Sequence, residues 1–193
     1  MPDGHTNVVR VGVAGHRQLD DPETVASEVR EALAMVPTVC GAAEGETVTL
    51  QVVSPLAEGA DRLVAREALR HAHASLIAVL PFAREEYERD FATAVSRAEF
   101  DELLARAVRV ECVGHGCEEP GAVAQQQRRE EAYAAVGRWV VEHADVLIAV
   151  WDGQPARGTG GTADAVAYAR QRGVPVLWVH AARPAGLELL APR

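Results

Sequence analysis

Lysine is absent from this chain, so all 19 of its basic residues are arginine. That absence excludes Schiff-base chemistry and a P-loop lysine, and any phosphate contact must come from arginine, a hydroxyl or a backbone N–H group. Cysteine is scarce: three of them in 193 residues do not make a disulfide framework. No apolar run approaches the length a membrane span needs, so no membrane partner is expected. The opening residues 1–6 are polar and lead into a strand pattern without a charged-then-apolar leader, which predicts a cytoplasmic protein. Positive charge is also short, with 19 basic against 28 acidic side chains and a net charge of −9. Because sequence-independent binding to nucleic acid comes from clustered cations neutralising phosphates, nucleic acid is not the expected partner.

What is present fits one ordinary globular unit. Hydrophobic residues make up 48% and charged residues 24%, enough to bury a core without help from disorder-prone or fibrous segments. The length favours a single domain over residues 1–193, with its core at about 8–180. Short β-branched runs alternate with longer helical patterns, the signature of βαβ units. Strands are predicted over residues 8–14, 48–53, 76–80, 109–113, 146–151 and 174–179, and helices over 22–35, 60–72, 85–107, 122–143 and 162–172. The run Val146-Leu147-Ile148-Ala149-Val150 is apolar throughout, as strands covered on both faces are. The fourth helix carries Ala132, Val136, Trp139 and Val140 at helical spacing, a stripe to face the sheet. The predicted fold class is therefore α/β, a Rossmann-like three-layer α/β/α sandwich with a mainly parallel sheet.

In such sheets ligands bind beyond the carboxyl ends of the strands, and the unusual residues cluster there. The first strand runs into Gly15-His16-Arg17, where a glycine lets backbone approach a ligand and an arginine offers a planar fork for phosphate or carboxylate. A plain strand-to-helix turn with a surface arginine and a structural histidine is the competing reading. The second strand ends in Glu58-Gly59-Ala60-Asp61. Gly59 permits tight backbone, Asp61 is either a helix cap or a ribose ligand, and Glu58 is a candidate for ribose hydroxyls or acid/base work. After the third strand, Tyr87 and Phe91 lie four residues apart on one helical face with Asp90 beside them, forming either an amphipathic helix or a base-stacking wall.

The strongest segment follows the fifth strand: Trp151-Asp152-Gly153, then Gly158-Thr159-Gly160-Gly161-Thr162-Ala163 at a helix start. A glycine- and threonine-rich loop that opens a helix directly after a buried strand presents unpaired N–H groups and a positive dipole end to an anion. Cys112, His115 and Cys117 make a poor zinc set, three ligands within six residues and no fourth, so no metal is expected. No cofactor is implied either.

Gly12-Val13-Ala14-Gly15-His16-Arg17, Leu56-Ala57-Glu58-Gly59-Ala60-Asp61, and Asp145 through Thr162 together resemble the SLOG superfamily, the Rossmann-like group that contains the Smf/DprA and LOG proteins. The resemblance spans about residues 8–179. It implies a nucleotide-derivative pocket at the carboxyl edge of the sheet and makes a homo-oligomer plausible. LOG members cleave a base from a nucleoside monophosphate with an arginine and the glutamate of a PGGxGTxxE motif, whereas other members bind nucleotide-derived signals or DNA without that hydrolysis. Laid on Gly161-Thr162, that motif puts its glutamate on Ala165, and the glutamate of nucleoside deoxyribosyltransferases falls on the same residue. Asp164 is adjacent, but one step along a helix turns a side chain by about 100°.

The expectation is therefore a binding or sensor domain for a phosphate-bearing nucleotide derivative. N–H groups of Gly160–Ala163, Arg17 and Thr162 would hold phosphate, and Glu58 or Asp61 ribose. Two alternatives stand beside it: an N-glycosidic hydrolase or deoxyribosyltransferase-like enzyme in which Glu58 or Asp90 replaces the missing glutamate, and a scaffold that binds no ligand.

Overall fold

The computed structural model describes residues 7–116, 125–155, 160–182 and 186–192. The chain opens with β1 (Asn7–Gly15), whose Val9, Val11 and Val13 are buried. Next comes α1 (Pro22–Val39), started by the Asp21 carboxylate, which accepts the Thr24 N–H at 3.1 Å, and by a proline in the first turn, where no N–H is missed. Its Val25, Val29, Leu33 and Val36 recur at three and four residues and face the sheet. Then follow β2 (Val48–Ser54), α2 (Ala60–Ala68), β3 (Ala74–Phe82) and the single turn α3 (Arg84–Tyr87), which runs into a 3-10 turn at Glu88–Asp90. After these come α4 (Ala94–Arg106), β4 (Arg109–Gly116), α5 (Gln125–Glu142), β5 (Val146–Trp151), α6 (Thr162–Gln171), β6 (Val176–His180) and β7 (Leu187–Leu190).

The strands form one sheet in the order β4-β3-β2-β1-β5-β6-β7, parallel throughout except for β7, which pairs antiparallel with β6. Helices α1 and α2 cover one face and α5 and α6 the other, giving the three layers. Val146, Leu147, Ile148, Ala149 and Val150 are each 0% exposed, because β5 sits between both helical layers. Removing a Val, Leu or Ile side chain of this kind from water contributes about 1.5–3 kcal/mol. The run therefore anchors both cores at once. The chain is an α/β protein with a Rossmann-like sandwich, as its alternation predicts.

Three elements depart from the sequence expectation. The helix predicted over 85–107 is two helices separated by an extended Phe91. The break lets Tyr87 pack edge to face on Phe91 and Phe100 and those two rings tilt against each other, at centroid distances of 5.0–5.7 Å, and Thr93 caps the second helix by accepting the Ser96 N–H. An unbroken helix could not fold Phe91 and Phe100 onto each other. Second, the helix predicted over 60–72 ends at Ala68. Third, β7 has no counterpart among the predicted strands, since four residues with half-exposed leucines carry no alternation to read.

Candidate functional site

The order of the sheet sets the site. From β1 the chain builds outward through β2, β3 and β4, then returns to the other side of β1 for β5, so the loops leaving β1 and β5 part company and open a crevice between them. A cavity of about 810 Å³ occupies that crevice. Its wall includes Gly15, His16, Arg17, Gln18 and Asp20 after β1, Glu58 and Asp61 at the β2–α2 turn, Tyr87 from α3, and Tyr133 and Gly137 from α5. On the β5 side it includes Trp151, Asp152, Gln154, Gly160, Gly161, Thr162, Ala163 and Ala165.

Backbone contacts fasten the first loop across the crevice. The His16 N–H donates to Val150 O at 3.0 Å, and His16 O accepts the Ala60 N–H at 3.0 Å, so one residue ties β5 to the start of α2. Its ring closes a second bridge, with Nε2 accepting the Asp152 N–H at 3.1 Å. Asp152 in turn takes the Gln154 N–H at 2.9 Å. Gly59 serves this clasp. It has φ +77°, and a Cβ there would lie 2.4 Å from Arg17 O and 2.5 Å from His16 O. Gly59 is thus a packing requirement behind the wall, and it does not itself line the cavity.

Arg17 and Tyr133 form the polar centre of the wall. The guanidinium carbon of Arg17 lies 5.2 Å from the Tyr133 ring centroid. Desolvation opposes its charge, but its polar contact with Tyr133 and the nearby Tyr87 and Asp90 outweigh that and raise its pKa. The arginine is therefore cationic at any working pH. Tyr133 also donates to Asp90, which is paired with Arg129, while Arg129 Nη1 reaches Glu86 at 2.7 Å. Burial first, and then the bond to Asp90, push the Tyr133 hydroxyl pKa up. Asp90 is consequently spent on Arg129 and Tyr133 and is not on the cavity wall, which corrects its sequence assignment as a catalytic candidate. Tyr133 and Arg129 escape a sequence reading because nothing in the α5 sequence distinguishes an inward polar pair at i, i+4 from a solvated face.

Two other assignments change. Tyr87 lines the cavity but is 1% exposed and packed on Phe91 and Phe100, so it is a core ring and no stacking wall for a base. Asp61 is not a helix cap: the N-cap of α2 is Gly59, without a side-chain bond. The Asp61 carboxylate instead turns back, and Oδ2 accepts the Ala57 N–H at 3.3 Å. Asp61 is 5% exposed, and Oδ1 has no hydrogen-bond partner among the described residues. Burial pushes its pKa up to about 7, although the Ala57 N–H and the charges of Arg17 and Arg62 pull it down.

Glu58 remains on the wall, where it accepts the Ser96 hydroxyl. Ser96 is held in turn by Arg62, whose Nη1 donates to its O and Oγ at 2.8 Å and whose Nε donates to Leu56 O at 3.0 Å. Arg62 is 1% exposed and lies with its guanidinium carbon 4.3 Å from the Phe91 ring centroid. Leu56, fully buried, accepts φ +58° to deliver that carbonyl, a strain of about 1 kcal/mol or more for a non-glycine residue.

On the β5 side, Gly158 and Thr159 lie outside the described residues. Gly160 has φ +83° and touches the α5 backbone: a Cβ would come within 2.8 Å of Ala134 N. Its N–H donates to Asp164 Oδ2 at 2.9 Å. The first N–H groups of α6, those of Thr162 and Ala163, have no partner within the helix and border the cavity. Asp164 therefore acts within the loop as a cap for Gly160, while Ala165 presents a methyl group to the cavity wall. Gly153 is off the wall, beside the Trp178 ring. Of the cysteine and histidine cluster, Cys117 lies outside the described residues and Cys112 is disulfide-bonded. Among the described residues no group of His, Cys, Asp and Glu is arranged to hold a metal ion, and no helix is long and apolar enough to cross a membrane.

Fold and cavity together define a class: an open, doubly wound α/β protein with a crevice of small-molecule size, lined by polar and apolar groups alike, at its topological switch point. No protein-family model matches the chain, and no curated protein matches it either.

Proposed function

We propose that the chain binds a phosphate-bearing nucleotide derivative in this crevice, as a sensor or binding domain. The observation that carries the reading is convergence: Arg17 and the residues at the start of α6, whose first N–H groups have no partner within the helix, border the same cavity from opposite sides of the switch point. A fixed cation and a helix N-terminus are both stabilised by an anion, and phosphate offers each of them an oxygen. The volume of about 810 Å³ falls in the range of small-molecule sites and exceeds what a bare anion needs. Glu58, held toward the cavity by Ser96, is the group suited to sugar hydroxyls. The SLOG resemblance supports the same ligand class. Ala165 on the wall favours binding over LOG-type turnover, because an oxocarbenium-like transition state needs a carboxylate that a methyl group does not supply.

Calorimetry with AMP, ADP and ADP-ribose tests the proposal, with Arg17→Met as the variant. Loss of a charge-assisted contact worth about 1.5–3 kcal/mol weakens binding by about 10- to 100-fold. Folded protein that binds none of these compounds would refute it. A hydrolytic reading rests on Glu58 alone, the candidate carboxylate that is both on the wall and outside an ion pair with Arg129. Release of free base from nucleoside monophosphates, abolished in Glu58→Gln, is its signature, and turnover unchanged in that variant removes it.

A further inference from the structure

Within the nucleotide-binding reading just given, one group is left without a role: the buried carboxyl of Asp61, which lines the cavity with Oδ1 unpartnered among the described residues. A buried carboxylate oxygen without a donor is costly, and here one of the two cations that act on it, Arg17, is the one a phosphate must also use. One guanidinium cannot neutralise both a phosphate and an adjacent desolvated carboxylate. Of the two, the carboxyl is the group that can shed its charge, since a phosphate ester keeps at least one at any pH near neutrality.

We propose that Asp61 enters the ligand complex as the neutral acid, its side chain turning so that Oδ1–H, covered in the free protein, donates to a phosphate-ester oxygen held by Arg17, and that capture of the ligand thereby takes up one proton. The orphaned oxygen thereby gains a partner, and the phosphate gains a donor that an ionised carboxylate would replace with repulsion. The surroundings agree. Arg17 and Arg62 are the cations that act on Asp61, and Tyr87 is the neutral hydroxyl next to it. His16, Glu58 and Tyr133 share its wall. Of these, Arg62 has its Nε and Nη1 held by Leu56, Ser96 and Glu99, so its charge is already shared with another carboxylate, and Glu58, an acid bonded by Ser96, brings no positive charge. Free Asp61, pushed up to about 7 by burial, already stands where one more anion tips it to the acid. Glu58 is left as the acceptor for sugar hydroxyls.

The test is calorimetric titration of the full chain with AMP and with ADP-ribose in buffers of different ionisation heat, which counts protons taken up. The pyrophosphate of ADP-ribose has no proton of its own to exchange between pH 5.5 and pH 8. The expected uptake is near zero at pH 5.5 and approaches one proton at pH 8, with affinity falling toward tenfold per pH unit above about pH 7. In Asp61→Asn, whose folding is checked by thermal melting, uptake at pH 8 vanishes while binding is retained and no longer weakens with pH. Equal uptake in wild type and variant would overturn the proposal. So would a wild type whose affinity for ADP-ribose holds or rises from pH 5.5 to pH 8, because the ionised carboxylate would then be what the ligand tolerates or needs. Ligand binding with no linked proton sinks this inference and leaves the nucleotide-binding reading standing. Failure of both compounds to bind folded wild type overturns the two together.

Discussion

Replacing Asp61 with asparagine should flatten the pH dependence of stability between acid and neutral pH. An unfolded aspartate titrates near 3.8, whereas burial raises the folded value to about 7. Over the interval between these values the native state holds a proton that the unfolded chain has released, so stability falls as pH rises and the full loss is reached above the folded pKa. Roughly three pKa units at about 1.4 kcal/mol each set an upper bound of about 4 kcal/mol, of which about 2–3 kcal/mol develops between pH 5 and pH 8. Asparagine keeps an oxygen for the Ala57 N–H, has no charge to desolvate, and offers its amide to the cavity. Urea unfolding of both proteins at pH 5, 6, 7 and 8 reads the effect directly. The difference in unfolding free energy, variant minus wild type, should climb by that amount across the series. Parallel curves would mean that Asp61 titrates as an ordinary carboxyl, and the account of its environment would fail. Against a total stability of about 5–15 kcal/mol for a chain of this kind, the change is readily measured.

Two further outcomes follow from the clasp and from the ion pairs behind Arg17. Gly59→Ala should destabilise by more than about 2 kcal/mol, because its positive φ and the carbonyls of His16 and Arg17 both reject a Cβ, whereas Gly41→Ala, with the same φ sign but open space around it, should cost only about 1 kcal/mol. Urea midpoints for the two variants separate the close contact from the backbone strain, and equal losses would remove the clasp. Arg129→Met should cost about 1–3 kcal/mol by leaving Asp90 and Glu86 without their shared cation. A double-mutant cycle with Asp90→Asn should recover much of that loss, and in Asp90→Asn alone ligand affinity should stay within about threefold, since Asp90 is off the cavity wall.

The parts of the site that are local in the chain are legible in its sequence. Gly15-His16-Arg17 at the end of β1 and Gly160 through Ala163 at the start of α6 do line the crevice, and counting to Ala165 locates a methyl group on its wall. The same local reading misplaces side chains whose partners are distant. Asp90 looks like a spare acid because Arg129 and Tyr133, its partners, are 39 and 43 residues away in the chain. Asp61 reads as a cap because its spacing from the helix start permits one, whereas its turn back to the Ala57 N–H leaves it buried within the fields of Arg17 and Tyr87, groups from other parts of the site.

Sequence alone determined the class of fold, since periodicities of two and 3.6 residues and a strand apolar on both faces have few solutions. It determined as well that arginine would have to supply every fixed cation. Which strands flank β1, and hence where the switch point opens, was decided by the tertiary structure, because strand order depends on contacts between segments that no local pattern ranks. The tertiary structure likewise decided that the Asp61 carboxyl would be buried with one oxygen unpartnered among the described residues. Burial is a property of everything that surrounds a residue, and the residues around Asp61 come from separate elements of the chain.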